Sequence, residues 1–386
     1  MIINQAWSLL LVTTAAAVLP GISRLVRLPA MVLQILFGIV LGKSLLNLEL
    51  SGEWLPFLAQ LGFLLLMFQA GMEIDFSMLR KQRNKDLVLQ LLVFASTFGM
   101  AIICALLLGQ GFFMAFVLST TSLGLILPAL REANMTKTPL GQSILLASTL
   151  ADFLSLFGIT FYILGHQFGL DWKILSPIPL LLGFGFILKA GRILAWWHPE
   201  KAAHILGQEG GQDSQELGVR LSLVILFLFV ALSELVHMEP VLGAFIAGTL
   251  LSFVFREKYQ LENKLSGMSY GFFIPLFFIH IGMQFDLNNI LNPEQFVFFI
   301  ELLILAFLIK LLPSVLFMLQ GISLKGSLNA GILLSSRLSL IIAAAAIGAE
   351  EGLISTDTKD VIILLALITC LVGPSLFKLL HRTEDI

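Results

Sequence analysis

Long apolar runs recur along almost the whole chain, and each is about as long as a helix that crosses a lipid bilayer. An α-helix rises about 1.5 Å per residue, so about 20 apolar residues cross a hydrocarbon core about 30 Å thick. Short polar segments separate thirteen such runs, which we predict to be transmembrane helices: 6–23, 28–46, 54–79, 87–108, 112–130, 140–164, 174–194, 219–236, 240–255, 266–285, 295–319, 327–349 and 360–380. The pattern therefore predicts an all-α polytopic membrane protein.

Composition and charge agree with this interpretation. Of the 386 residues, 58% are hydrophobic and 12% are charged, whereas a soluble domain carries about 25% charge. Of the 23 Lys and Arg residues, 18 fall in loops or termini on one side of the predicted spans, 3 fall on the other side and 2 lie inside spans. The positive-inside rule then places the N-terminus outside and the C-terminus in the cytoplasm, across the cell (inner) membrane. Both cysteines lie in apolar spans, so we expect no disulfide. We also expect no enzyme activity, no cofactor and no nucleic-acid partner.

Two pairs of segments indicate an internal repeat. FQAGMEIDF at 68–76 is similar to IHIGMQFDL at 279–287, and VLSTTSLGLILPAL at 117–130 is similar to LLSSRLSLIIAAAA at 333–346. The order and spacing of the segments are nearly the same in both places. Under the loop assignment above, the two copies run in opposite directions across the membrane, which is typical of secondary transporters.

This repeat predicts the domain organisation. We expect one transmembrane domain, 1–386, in which 54–194 and 266–380 are the approximate inverted-repeat halves and the polar segment 195–218 is a cytoplasmic linker. No dinucleotide-binding pattern follows the last span, so no C-terminal nucleotide-binding domain is expected.

The second pair of similar segments carries hydroxyl groups in the middle of a span. STTSLG at 119–124 and SSRLS at 335–339 predict two interrupted helices, whose unwound backbone would face a cavity near the bilayer midplane. The alternative is that these Ser and Thr side chains only bond back to their own helices.

Asp152 lies in a long apolar stretch, between Lys137 and Asp171 as the nearest charged residues. A carboxylate at that depth costs about 3 kcal/mol on insertion scales, so it indicates a functional group. Ser148 and Ser155 lie on the same helix face and would add hydroxyl oxygens to a site for a hard cation or a proton. The alternative is a buried Asp that bonds to a neighbouring helix.

Further polar groups extend this candidate site. The predicted cation- or proton-binding residues are Asp152, Ser148, Ser155, Thr120, Thr121 and Ser119, without any metal other than the transported monovalent cation. Lys310 and Arg337 lie inside spans and are predicted to balance charge, with Asp152, Glu301 or the membrane interface open as the partner of Lys310. Glu73 and Asp75 are predicted to line a cytoplasmic funnel or to cap a turn.

Four segments together carry a resemblance to a known family: RLVRLPAMVLQILFGIVLGKSLLNL at 24–48, LGFLLLMFQAGMEIDFSMLRK at 61–81, FFIPLFFIHIGMQFDL at 272–287 and FLIKLLPSVL at 307–316. They resemble the monovalent cation:proton antiporter-2 family, with its bacterial Kef-type and GerN-type Na⁺ or K⁺/H⁺ antiporters. The resemblance implies the sodium/proton antiporter fold, a homodimer, and a core domain that moves against a dimerisation domain. It also leaves room for a separate regulatory subunit.

The resemblance assigns the ion to Asp152 and implies exchange of Na⁺ or K⁺ for H⁺ by alternating access. Lys310 matches a lysine that, in some members, pairs with an acidic residue just before the ion-binding aspartate. This chain has Ala151 at that position, so we expect a single carboxylate and an electroneutral 1:1 exchange. The alternatives are an uncoupled cation pathway and a transport-inactive membrane sensor on the same scaffold.

Overall fold

The computed structural model describes residues 2–3, 5–26, 28–50, 54–72, 84–169, 183, 212–235, 240–254 and 259–382. Within these residues, almost all regular structure is helical. The chain forms two compact units: unit 1 comprises 1–76 and 164–285, and unit 2 comprises 77–163 and 286–386. Each predicted repeat half therefore contributes residues to both units.

Unit 1 consists of apolar helices and one small strand pair. Its helices are α1 (Gln5–Val26), α2 (Ala30–Leu41), α3 (Trp54–Met72), α8 (Gln212–Leu235), α9 (Pro240–Val254), α10 (Tyr259–Met268) and α11 (Ile274–Gln284), with a π-helical turn at Ser269–Phe273 between the last two. Two strands of two residues each, β1 (Ile2–Ile3) and β2 (Glu49–Leu50), pair in parallel.

Glycines let the helices of unit 1 approach each other closely. Gly38 of α2 and Gly282 of α11 face each other, and a Cβ at either would overlap backbone of the opposite helix. Gly71 of α3 and Gly248 of α9 show the same relation. Close backbone approach at small residues is a common mode of helix association in membranes.

Unit 2 contains both helix pairs that the sequence predicts to be interrupted. Its helices are α4 (Asn84–Leu107), α5 (Phe113–Ser119), α6 (Leu123–Glu132), most of α7 (Pro139–Phe168), α12 (Leu287–Leu291), α13 (Pro293–Ser314), α14 (Leu324–Leu334), α15 (Ser339–Glu350) and α16 (Thr356–Arg382). A 3₁₀ segment, Val315–Gln320, continues α13 and ends at Gly321, whose positive φ of 79° suits glycine.

Both predicted interruptions are confirmed. The first lies between α5 and α6, and the second lies between α14 and α15, which are bent by 47° relative to each other. Hydroxyl residues lie at both breaks, and the side chains of Ser119, Thr120 and Ser335 bond to carbonyls of the preceding turn, which competes with the regular helical pattern.

Helical structure coincides with every predicted span except 174–194, which falls almost entirely outside the described residues. Nine described helices are long and apolar enough to cross a membrane, or ten if the bent pair counts as one span. Ala30–Leu41 and Pro240–Ser252 are apolar but shorter. The predicted number of thirteen therefore stays a prediction. Within the predicted linker 195–218, α8 already begins at Gln212, and 195–211 lie outside the described residues.

Candidate functional site

The break between α5 and α6 leaves helix ends inside unit 2. The last carbonyls of α5 and the first amides of α6 have no partner within their own helices. Ser119 Oγ donates to Phe116 O at 2.8 Å, and Thr120 Oγ1 donates to Val117 O at 2.8 Å, so two hydroxyls satisfy carbonyls of α5. The amides at the start of α6 need an acceptor from elsewhere.

Asp152, near the middle of α7, supplies that acceptor. Its Oδ1 accepts from Thr121 Oγ1 at 2.8 Å and from Thr121 N at 3.3 Å, and its Oδ2 accepts from Leu123 N at 3.3 Å. The carboxylate thus lies at the N-terminal end of α6, where the helix dipole favours negative charge. Asp152 also keeps part of its surface accessible, whereas Thr121 is buried. An accessible, well-oriented carboxylate can bind either a proton or a cation.

The two serines predicted beside Asp152 have different environments. Ser155 Oγ is 3.0 Å from Ser119 Oγ, so this hydroxyl pair joins α7 to the end of α5. Ser148 Oγ instead donates to Leu145 O at 3.0 Å, while its carbonyl oxygen accepts from Thr121 Oγ1 at 3.3 Å. The hydroxyl of Ser148, like that of Thr120, therefore bonds back to its own helix, and a role in ion binding stays a prediction for both.

Lys310 of α13 occupies the opposite helix end. Its Nζ donates to Ser119 O at 2.6 Å, at the C-terminal end of α5, where the helix dipole favours positive charge. The side chain is only 4% exposed, so this contact replaces water for a buried ammonium group. The carbonyl of Ser119 is thus the hydrogen-bond partner of Lys310, while Asp152 acts on it electrostatically. Glu301, the other predicted partner, is exposed on α13.

Arg337 lies in the second break, between α14 and α15. It is 0% exposed, and its Nη2 donates to Ala306 O at 3.1 Å, one helical turn before Lys310 on α13. Its Nε and Nη1 have no hydrogen-bond partner among the described residues. The guanidinium of Arg337 thus contacts α13 one turn from Lys310, and its charge acts on Lys310.

The two interrupted helices pack together. α5 contacts α15, and a Cβ at Gly348 would overlap the ring of Phe113. α6 and α14 share one hydrophobic core, which includes Ile126, Leu130 and Leu333. Lys310 on α13 contacts the first break at Ser119, and one turn earlier Ala306 O accepts from Arg337 in the second break, so the two breaks lie near each other.

The structure brings together Asp152, Thr121, Ser119, Ser155 and Lys310, with Arg337 close to Lys310. The predicted funnel residues Glu73 and Asp75 lie outside the described residues. The side-chain patterns in the sequence did not predict the backbone groups that take part in the site. These groups are the amides of Thr121 and Leu123 and the carbonyls of Ser119 and Ala306. A predicted helix break was the only sign that such groups would be free.

The sequence profile described as "Sodium/hydrogen exchanger, transmembrane" matches residues 10–382, nearly the whole chain. The chain belongs to the sodium/hydrogen exchanger family. This family consists of secondary transporters and not of enzymes, and it agrees with the resemblance noted in the sequence.

Individual relatives support this assignment, and one solved structure shows the same fold. Bacillus subtilis YjbQ is 32% identical over 378 residues, which cover 93% of this chain and 60% of YjbQ. The Na(+)/H(+)-K(+) antiporter GerN of Bacillus cereus is 27% identical over 369 residues, which cover 92% of this chain and 91% of GerN. The sodium proton antiporter MjNhaP1 of Methanocaldococcus jannaschii has the same fold, with a TM-score of 0.68 at 14% identity over 96% of both chains.

Proposed function

We propose that this exchanger carries a monovalent cation, Na⁺ or K⁺, in one direction and a proton in the other, by alternating access. The observation that supports this most is the position of Asp152, whose partly accessible carboxylate lies at the α5–α6 break. GerN, a relative over most of the chain, is named for both cations and for the proton. The choice between Na⁺ and K⁺ depends on the number of ligands and the size of the site in the cation-bound state.

Competition for one carboxylate couples the two ions. A hard cation prefers oxygen ligands, and the ionised Asp152 supplies the charged one. The hydroxyl of Thr121, 2.8 Å from Oδ1, and the hydroxyl pair of Ser119 and Ser155 at the end of α5 offer further oxygens. Protonation of Asp152 removes the negative charge and with it most of the attraction for the cation. Asp152 therefore binds either the cation or the proton at one time, and each ion crosses the membrane in exchange for the other.

The neighbour of Asp152 sets the proposed stoichiometry. Ala151 is a buried apolar residue, so the position just before Asp152 adds no second carboxylate. Lys310 Nζ donates to the carbonyl of Ser119 at 2.6 Å, and in this proposal it keeps its proton throughout the cycle. One cation then replaces one proton, and the cycle moves no net charge.

The remaining assignments follow from the same proposal. Lys310 and Arg337 balance the charge of Asp152 and the negative ends of the broken helices. Glu73 and Asp75 guide cations in a cytoplasmic funnel. The chain works as a homodimer in the cell (inner) membrane, with its N-terminus outside and its C-terminus in the cytoplasm, as the distribution of Lys and Arg predicts.

Reconstitution into proteoliposomes tests the exchange. With a pH-sensitive dye inside the vesicles, an inward gradient of Na⁺ or K⁺ should drive protons out, and protein-free vesicles should show no such response. Cation uptake without proton movement would contradict antiport and favour an uncoupled pathway.

A second measurement isolates the stoichiometry. On a solid-supported membrane, a cation concentration jump should produce no transient current if one cation replaces one proton. Substituting Ala151→Asp supplies a matched comparison, because it adds a carboxylate beside Asp152 and should produce a current. A clear current in the wild type would contradict electroneutrality while leaving the exchange itself intact.

A further inference from the structure

Asp360, in the second turn of α16, is a buried carboxylate that the exchange site does not use. Its side chain is 2% exposed. Its Oδ2 accepts from the backbone N of Asp286 at 3.3 Å and from Asn289 Nδ2 at 3.3 Å. These partners belong to α12 and to its N-cap, and all three residues belong to unit 2.

The other oxygen of Asp360 is unsatisfied. Oδ1 is buried and has no hydrogen-bond partner among the described residues. A buried carboxylate oxygen without a donor is costly, and such groups are usually paired or bound to an ion. Lys359, the adjacent basic residue, acts electrostatically on Asp360 and also on Glu350, and no ion pair with Asp360 is formed within the described part of the chain.

A second carboxylate and an amide belong to the two residues that contact Oδ2 of Asp360. Asp286 caps α12, where its Oδ1 accepts from Asn288 N at 3.0 Å, and its charge acts on Asp360. Asp286 and Asn289 are both partly exposed. The cluster therefore has a buried carboxylate at its base and an accessible rim of oxygen-bearing side chains.

We propose that Asp360, Asp286 and Asn289 form a second cation-binding site, separate from the exchange site at Asp152. Two carboxylates and an amide oxygen are ligands for a hard cation. Three protein side chains fall short of the six to eight oxygens that Ca²⁺ takes, so the cluster suits a monovalent ion of the Na⁺ or Li⁺ type, completed by water. The bound cation is the positively charged partner that Oδ1 of Asp360 otherwise lacks, and it links the start of α16 to α12.

Cation-dependent thermal stability of the purified full chain tests the proposal. The measurements use Asp152→Asn as background, because this substitution removes the charge of the exchange site. Relative to a large organic cation at equal ionic strength, Na⁺ or Li⁺ at saturation should raise the Tm by about 4 °C. Adding Asp360→Asn should abolish this rise, whereas adding Asp357→Asn should not. Asp357 is the matched control, since it is a partly exposed carboxylate one turn away on α16.

The outcomes are distinct. Equal stabilisation with and without Asp360→Asn, or none in the Asp152→Asn background, would overturn the second site, and neither result bears on exchange at Asp152. Stabilisation by micromolar Ca²⁺ in preference to Na⁺ would overturn the monovalent assignment. If Asp360→Asn fails to fold, Asn289→Asp tests the site instead. Its third carboxylate should lower the Tm in the absence of the cation and enlarge the rise in Tm caused by Na⁺. An unchanged rise in that variant would contradict the proposal.

Discussion

Replacing Thr121 by valine tests the hydrogen bond from Thr121 to Asp152, the carboxylate that we propose to bind the ions. Thr121 Oγ1 donates to Asp152 Oδ1 at 2.8 Å, and the side chain is buried. Valine keeps the shape of threonine and has a methyl group in place of the hydroxyl, so it also loses the longer contact of Thr121 Oγ1 with Ser148 O, at 3.3 Å. The ionised form of Asp152 then loses one of its donors, while the two backbone amides remain.

The expected size of the effect follows from this geometry. A hydrogen bond to a charged group contributes about 1.5–3 kcal/mol. Because Asp152 keeps two amide donors and is partly exposed, we expect the lower end of that range, about 1.5 kcal/mol, which corresponds to about tenfold in affinity. At fixed pH, protons then compete better with the cation. The apparent KM for the cation should rise about tenfold in Thr121→Val, and this difference should narrow as the pH rises.

Thr120→Val is the matched control for this experiment. Thr120 is adjacent and equally buried, but its hydroxyl donates to Val117 O within α5 at 2.8 Å. Cation-driven proton flux in proteoliposomes, measured over a range of cation concentrations and at several pH values, gives both KM values. We expect less than about a threefold change for Thr120→Val, because its hydroxyl bonds to Val117 O and not to Asp152, and a loss of up to about 0.6 kcal/mol corresponds to about threefold. Equal changes in the two variants would refute the assigned role of Thr121.

Two further predictions concern stability. Gly38→Ala should lower the Tm strongly or prevent folding, because the new Cβ would overlap the carbonyl of Ile279. Gly99→Ala on α4 is the control: its Cβ would meet open space, so this substitution should be neutral or slightly stabilising. Thermal unfolding in detergent compares the two variants. Lys310→Met should destabilise the chain by about 1–3 kcal/mol in the same assay, because the buried carbonyl of Ser119 loses its donor, and an unchanged Tm would contradict the importance of that bond.

The sequence predicted the features that depend on side-chain patterns. Apolar runs located the helices, and the hydroxyl-rich segments at 119–124 and 335–339 located both breaks. The choice of Asp152 rested on the cost of a charge in an apolar span, and the structure places that residue at the first break.

Features that depend on backbone groups and on packing between distant segments could not be predicted. The bond from Lys310 to the carbonyl of Ser119 joins residues 191 positions apart, and a carbonyl has no signature in the sequence. For the same reason, the sequence did not show that Ser148 bonds back to its own helix, while Ser155 contacts Ser119. Nor did it indicate that residues of each repeat half contribute to both units.

We propose that Asp152 is the single carboxylate through which cation and proton are exchanged. The most direct test is cation-driven proton flux in proteoliposomes that contain Asp152→Asn, reconstituted at the same density as the wild type. Asparagine keeps the size of the side chain and removes the charge and the titrating proton. We predict that the wild type moves protons in response to Na⁺ or K⁺ and that Asp152→Asn does not. Coupled flux that persists in Asp152→Asn would contradict the claim.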